Sequence, residues 1–216
     1  IIVAMVAAIG FFSFYDTSRT IRADVEHFSA QILRQANLNL NRYYQEYEQG
    51  FLLLGMSDEF TDWLRLEKDN RYELAKLYHA LEKNYIQAFL VRHPEIMSIT
   101  MLSDRGNELH YTTRLGLLRN YTLTEEPWLD QVRNADKLFP FVFDSRNYIG
   151  SAGAVDPVPI MTLAKRFAEQ DALGYLKMDI SLDPAREILN EMKLGGEGMG
   201  LITDENGTII VHQDGS

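Results

Sequence analysis

The stretch 158–180, VPIMTLAKRFAEQDALGYLKMDI, decides how the chain is read. Two runs, 158–167 and 173–180, are dominated by branched, aromatic and other apolar residues and flank a short polar connection, the pattern of two strands joined as a hairpin. Successive side chains of a strand point to opposite faces, so Tyr175, Lys177 and Asp179 share one face while Leu176, Met178 and Ile180 share the other. An antiparallel hairpin with one apolar face and one polar, carboxylate-bearing face follows. Lys165 and Arg166 are available from across the hairpin.

Working upstream, 139–143 reads as a further strand and 144–157, which holds Gly150, Gly153 and several small residues, as a loop. A loop of that length inside a compact domain is usually functional or mobile. Ahead of it, Thr124 can cap a short helix with Glu125 and Glu126 in its first turn and Trp128, Leu129 and Val132 turned inward. Segments 96–102 and 108–113 form another period-two pair around the turn-rich SDRGN at 103–107. Before Pro94 the period is helical instead. Ile21, Val25, Phe28, Ile32, Ala36, Leu40, Tyr43, Tyr47, Phe51 and Leu54 recur at steps of three and four, which predicts one long helix over 17–54. At ~1.5 Å per residue it spans roughly 50 Å, and a stripe that long can pair with a second copy. After a break at 55–70, Tyr72, Ala75, Tyr78, Leu81, Tyr85, Ala88 and Phe89 mark the buried face of a second helix, which His93 and Pro94 end.

Working downstream, Asp183 and Pro184 supply the N-cap and first residue of a connector helix through Lys193, closed by Gly195 and Gly196. Segments 199–203 and 208–212 then flank DENG at 204–207, whose Asn-Gly pair marks a hairpin. Helices first, then strands with a short helix among them, then a second strand pair make the fold class α+β.

Composition narrows the function. A chain of 216 residues makes one to two domains, and 46% apolar with 24% charged residues excludes a disordered or low-complexity chain. With 21 Lys and Arg against 31 Asp and Glu, the net charge is −10, and the positive surplus that nucleic acid demands is missing. Cysteine is absent, which removes disulfides, thiolate metal sites and cysteine nucleophiles together. The run 1–15, IIVAMVAAIGFFSFY, carries no charge but is shorter than the ~20 residues of a spanning helix. It reads as the outer part of a transmembrane helix, with Phe11, Phe12, Phe14 and Tyr15 at the membrane interface and residues from about 16 onward extracytoplasmic. The strand pair that ends at 212 reads as the start of a module that further sequence would complete.

Catalytic machinery is not expected of these residues, nor is a metal or a cofactor. GSAG at 150–153 lacks the spacing of a nucleophile elbow, and GGEGMG at 195–200 lacks that of a phosphate loop. The histidines at 27, 79, 93, 110 and 212 show no metal-ligand pairing. Asn120 and Asn206 begin glycosylation sequons, a pattern too short to decide anything. What remains is a binding constellation. Trp128, Arg146, Tyr148, Arg166 and Asp179 would line a small-molecule pocket between sheet and loop. The plainer alternative is that Asp179 pairs with Lys177 or a turn amide and Trp128 fills the core.

GYLKMDISL at 174–182 and MGLITDENGTIIVH at 199–212, with the apolar start and the long helix, resemble the extracytoplasmic double-Cache (dCache) region of bacterial transmembrane receptors. HPEIMSITMLSDRGNELHY at 93–111, EPWLDQV at 126–132 and PIMTLAKRFAEQDALGYLKMDISL at 159–182 resemble, within that group, the YesM-like sensor histidine kinases. The resemblance implies a long helical stalk and second helix over 16–93, a PAS-like ligand-binding module over 94–182, a connector over 183–198 and the start of a second PAS-like module from 199. It also implies a homodimer in the cell membrane, a small-molecule ligand, and a kinase output beyond these residues. A chemoreceptor or cyclic-dinucleotide enzyme output, a tethered extracellular enzyme and a structural stalk are the alternatives.

Amino-acid-binding members of the wider group carry an Arg two residues before a Trp, a Tyr directly after it, and an Asp on the last strand. Trp128 and Asp179 match that pattern, and Asp144 would match a further acid on the preceding strand. Glu126 stands at the Arg position and Leu129 at the Tyr position. The group that would clamp a ligand carboxylate is thus replaced, which leaves an amine-bearing or a neutral ligand.

Overall fold

The computed structural model describes residues 2–112, 124, 126–133, 141–149, 155–191, 200–203, 207 and 209–212; for 2–9, 141–149 and 155–157 the description is of the backbone. Glu125, Gly150, Gly153, Gly195, Gly196 and the two sequon asparagines, Asn120 and Asn206, lie outside the described residues. The chain divides into two compact units, one of Tyr44–Pro184 and one of Ile1–Tyr43 with Ala185–Ser216. Helix α1 (Ile2–Gly55) contributes to both.

In the larger unit, α1 ends where Ser57 caps the next helix. Its Oγ donates to the Leu54 carbonyl at 2.7 Å and accepts the Phe60 amide at 3.2 Å, so one hydroxyl closes α1 and opens α2 (Asp58–Arg65). The expected break at 55–70 therefore holds a two-turn helix, too short for periodicity to reveal, which buries Phe60, Trp63 and Leu64. A continuous helical run follows: α3 (Arg71–Leu81), a π-helical turn (Glu82–Ile86) and α4 (Gln87–Arg92). Tyr72, expected on its buried face, is exposed, and Leu81, Ile86 and Leu90 do the burying. The π-turn shifts the buried register by one residue. Tyr85 donates to Glu59 at 3.0 Å and Asn84 donates to it at 3.2 Å, tying this run to α2. Tyr47 of α1 donates to Glu95 at 2.6 Å, beside buried His93, and so ties α1 to the entry of the sheet.

The sheet has five antiparallel strands: β1 (Ile96–Ser103), β2 (Glu108–Thr112), β3 (Phe141–Ile149), β4 (Val155–Glu169) and β5 (Ala172–Ser181), in the order β2-β1-β5-β4-β3. The hairpin expected over 158–180 is β4-β5, and β5 is the central strand. The loop expected over 144–157 is strand for most of its length. β3 continues to Ile149 and β4 begins at Val155, with Asp144 opposite Ile160 and Arg146 opposite Val158. Asp144, Arg146 and Tyr148 thus lie on a strand. Pro157 and Pro159 and the small residues hide this extension in the sequence, because β4 carries its prolines ahead of Ile160, where it pairs with β3 and the β5 ladder has not begun.

Both faces of the sheet are covered. Helix α2 packs on β5 and β1, and α5 (Pro127–Arg133) packs near β4. On the α2 side, Phe60 meets Phe167 edge-on at 5.6 Å and Phe51 lies 6.1 Å from the same ring. Gly174 is a packing requirement on this strand: a Cβ there would sit 2.2 Å from Leu64 Cδ2 and 2.6 Å from the Leu102 carbonyl oxygen. Thr124 does not cap α5, which begins at Pro127 with the Glu126 carbonyl accepting the Leu129 amide at 3.1 Å.

In the smaller unit, α6 (Asp183–Glu191) buries Ala185 and Leu189, and β6 (Leu201–Thr203) pairs with β7 (Ile209–His212), with Gly207 between them at φ +84°. On α1, Ala36 is buried while Ile21, Val25 and Phe28 are more than half exposed. Among the described residues, no helix is long and apolar enough to cross a membrane.

Candidate functional site

The site is built on the α5-covered face of the three central strands. Register places Asp179 of β5 between Ser98 of β1 and Thr162 of β4, so three side chains in one row point to the same face. Asp179 is completely buried. Ser98 donates to its Oδ2 at 2.9 Å and Thr162 to its Oδ1 at 2.8 Å. Two residues along β5, Lys177 is equally buried and turns its ammonium back to Asp179 Oδ2 at 3.1 Å. The same ammonium donates to Glu126 Oε2 at 2.7 Å and lies 5.6 Å from the centre of the Trp128 ring.

Two carboxylates, one ammonium and an indole face therefore form one closed cluster, with Glu126 only 7% exposed and Trp128 2%. Taking three charges out of water is costly, and mutual pairing with added hydroxyl donors offsets that cost. Trp128 anchors the cover. It packs with Leu129, Val132, Leu102 and Ala164, with Tyr175 at the margin, while its Nε1 is buried with no hydrogen-bond partner among the described residues. A buried donor left unmatched beside a charged cluster is uncommon in a native fold and marks a place where an acceptor would be stabilising.

Of the residues expected in a site, Trp128 and Asp179 are brought together here. Arg166 stands opposite Tyr175 on the same face and is exposed. Asp144, Arg146 and Tyr148 occupy alternate positions of edge strand β3, paired with Ile160, Val158 and Asp156 of β4. Asp179 is not an open pocket carboxylate: its pairing with Lys177 is the plainer alternative that the sequence offers. Ser98 and Thr162 are not among the expected site residues, although each is a hydroxyl interrupting an apolar run, IMSITML and PIMTLA, which is the available signal. Glu126 is visible in the sequence only as a departure at an arginine position; its partner, Lys177, lies 51 residues away, and no local pattern connects them.

No protein-family model matches the chain. No curated protein matches it either. Solved structures do. The ligand-binding domain of the Pseudomonas aeruginosa amino-acid chemoreceptor PctB, in complex with L-Arg, is similar with a TM-score of 0.59 at 17% identity, over 88% of this chain and 66% of that one. The ligand-binding domain of the Campylobacter jejuni chemoreceptor Tlp3, in complex with L-valine, is similar with a TM-score of 0.55 at 10% identity, over 89% and 72%. An extracellular domain named as that of a histidine kinase, vpHK1S-Z8, gives 0.50 at 16% identity, over 77% and 61%. At these identities the likeness is one of fold: the chain has the α+β, PAS/Cache-like architecture of sensory ligand-binding domains.

Proposed function

We propose that the chain is the extracytoplasmic sensing region of a membrane-bound receptor and that it takes a small-molecule ligand on the α5-covered face of its sheet. The observation that carries this reading is the buried cluster of Glu126, Lys177, Asp179 and Trp128, set on the central strand of a fold that chemoreceptor and histidine-kinase sensory domains share. A sheet face needed only for packing gains little from three buried charges, which well-packed apolar residues could replace at no loss of stability. Trp128 Nε1 supplies a donor for the ligand, and Arg166, exposed on the same face, supplies a charge at the margin.

A dCache-type sensor of the YesM-like histidine-kinase group is the favoured identity, on the residues at 93–111, 126–132 and 159–182. A chemoreceptor is the second reading, favoured by the two chemoreceptor domains above. In either, the charge-free run 1–15 holds the chain to the membrane and the exposed Ile21, Val25 and Phe28 of α1 meet a second copy. A ligand shifts such a receptor only through its different affinity for two arrangements of the chain.

The test is a thermal-shift screen of the chain against amino acids, amines, sugars, organic acids and short peptides. A ligand at 100 times its Kd adds about 2.7 kcal/mol to the stability of the folded state, a clear upward shift. The shift should vanish in Trp128→Ala and persist in Tyr72→Ala. A ligand whose shift survives Trp128→Ala places recognition elsewhere.

A further inference from the structure

The cluster has the parts of a site for an ammonium ion, two carboxylates and an aromatic face, and the chain fills it from within. Lys177 Nζ lies 2.7 Å from Glu126 Oε2 and 3.1 Å from Asp179 Oδ2, with the Trp128 ring 5.6 Å away. The rest of Asp179 is also satisfied, by Ser98 and Thr162, so neither of its oxygens waits for a ligand donor. Among the described residues, Lys177 is the cation that these two carboxylates share, and it reaches them from the strand that carries Asp179.

We infer that Lys177 is a tethered occupant of a cation subsite and so determines specificity: with its ammonium in place the sensor rejects ligands that present a free primary ammonium and takes ligands that present a hydrogen-bond acceptor. The inference rests on the proposed ligand face and narrows it. A ligand ammonium entering this cluster would have to displace Lys177 and leave that charge buried without a partner, a loss that its own contacts merely equal. An acceptor meets no such barrier. Trp128 Nε1 is a buried donor with no hydrogen-bond partner among the described residues. Of the amine-bearing and neutral ligands that the sequence leaves open, this removes the amine-bearing class.

The experiment is chemical rescue. Lys177→Ala in the full chain should melt well below wild type, and propylammonium chloride should restore it by roughly 5 °C relative to equal sodium chloride, while 1-propanol should not. Wild type should be unmoved by propylammonium and by free amino acids. If Lys177→Ala does not fold, Lys177→Ala/Glu126→Gln removes one of the two carboxylate charges that faced Lys177 and is measured the same way. Rescue by the ammonium alone supports the inference. Equal rescue by propanol, no rescue in either variant, or a wild-type shift with propylammonium would overturn it. The rescue needs no knowledge of the natural ligand, so it stands or falls separately from the wild-type screen.

Discussion

The two faces of the sheet obey different rules although they share every strand. On the α2 side, Phe51, Phe60, Leu64 and Phe167 interlock so closely that Gly174 has no room for a methyl group. On the α5 side, the same strands present Ser98, Thr162, Lys177 and Asp179, a hydroxyl and charge network under one tryptophan. One face is specified by shape and the other by pairing. A face specified by shape tolerates loss of volume at a graded cost, whereas a paired charge network fails when one member is removed, because a buried partner is stranded. The chain holds the second face at a risk to its stability that the first does not carry, which is the reason to read it as the working face.

The comparison breaks first at its charges. Asp179→Ala takes one of its two carboxylates from buried Lys177 and removes the acceptor of Ser98 and Thr162, and should cost about 3 to 5 kcal/mol; Asp179→Asn, which keeps the shape but not the charge, should cost nearly as much. Denaturant titration of the two variants measures the difference, and an Asn variant close to wild type would mean that shape rather than charge governs this face too. Next comes the glycine. Gly174→Ala forces Leu64 aside and presses on the Leu102 carbonyl, an overpacking worth about 1 to 3 kcal/mol, and it should leave ligand binding untouched. Ser98→Ala removes one hydroxyl donor from a carboxylate and should cost about 1.5 to 3 kcal/mol while weakening ligand binding through the displaced Asp179. Those two variants, similar in stability and opposite in binding, sharpen the contrast most.

The smallest effect lies on the α2 side. The Glu59 carboxyl is held below the usual carboxylate range, chiefly by a hydrogen bond from its own backbone and then by Tyr85 and Asn84. Its contribution is present above the ordinary carboxylate range, near pH ~4.3, and fades as the pH falls through the lowered folded value. Glu59→Gln should therefore melt about 1 °C or less below wild type near neutral pH, and the gap should close in acid. A gap that widens in acid would reverse the sign of this bond.

The central strands are legible in the sequence because β4 and β5 alternate over long runs, and alternation alone puts Tyr175, Lys177 and Asp179 on one polar face. The same rule fails at 144–157, where small residues and a proline break the pattern in edge strand β3 and in the start of β4 that β5 does not reach. Helix α2 is hidden for a different reason. Its two turns bury three residues through a single serine cap, and two turns are too few for a period to emerge. At the site, Asp179 stands out by alternation and Trp128 by likeness. Glu126 and the two hydroxyls do not, since they meet Lys177 and Asp179 only through cross-strand register and the docking of α5.

The two tryptophans report on the two faces separately, Trp63 from α2 and Trp128 from α5. Their indole N–H signals can be followed in a 15N-labelled chain as a ligand from the thermal screen is added. The account predicts that the Trp128 signal moves and saturates with the thermal shift while the Trp63 signal stays in place. Movement of Trp63 with Trp128 unchanged would contradict it and put the ligand on the helix-packed side of the sheet.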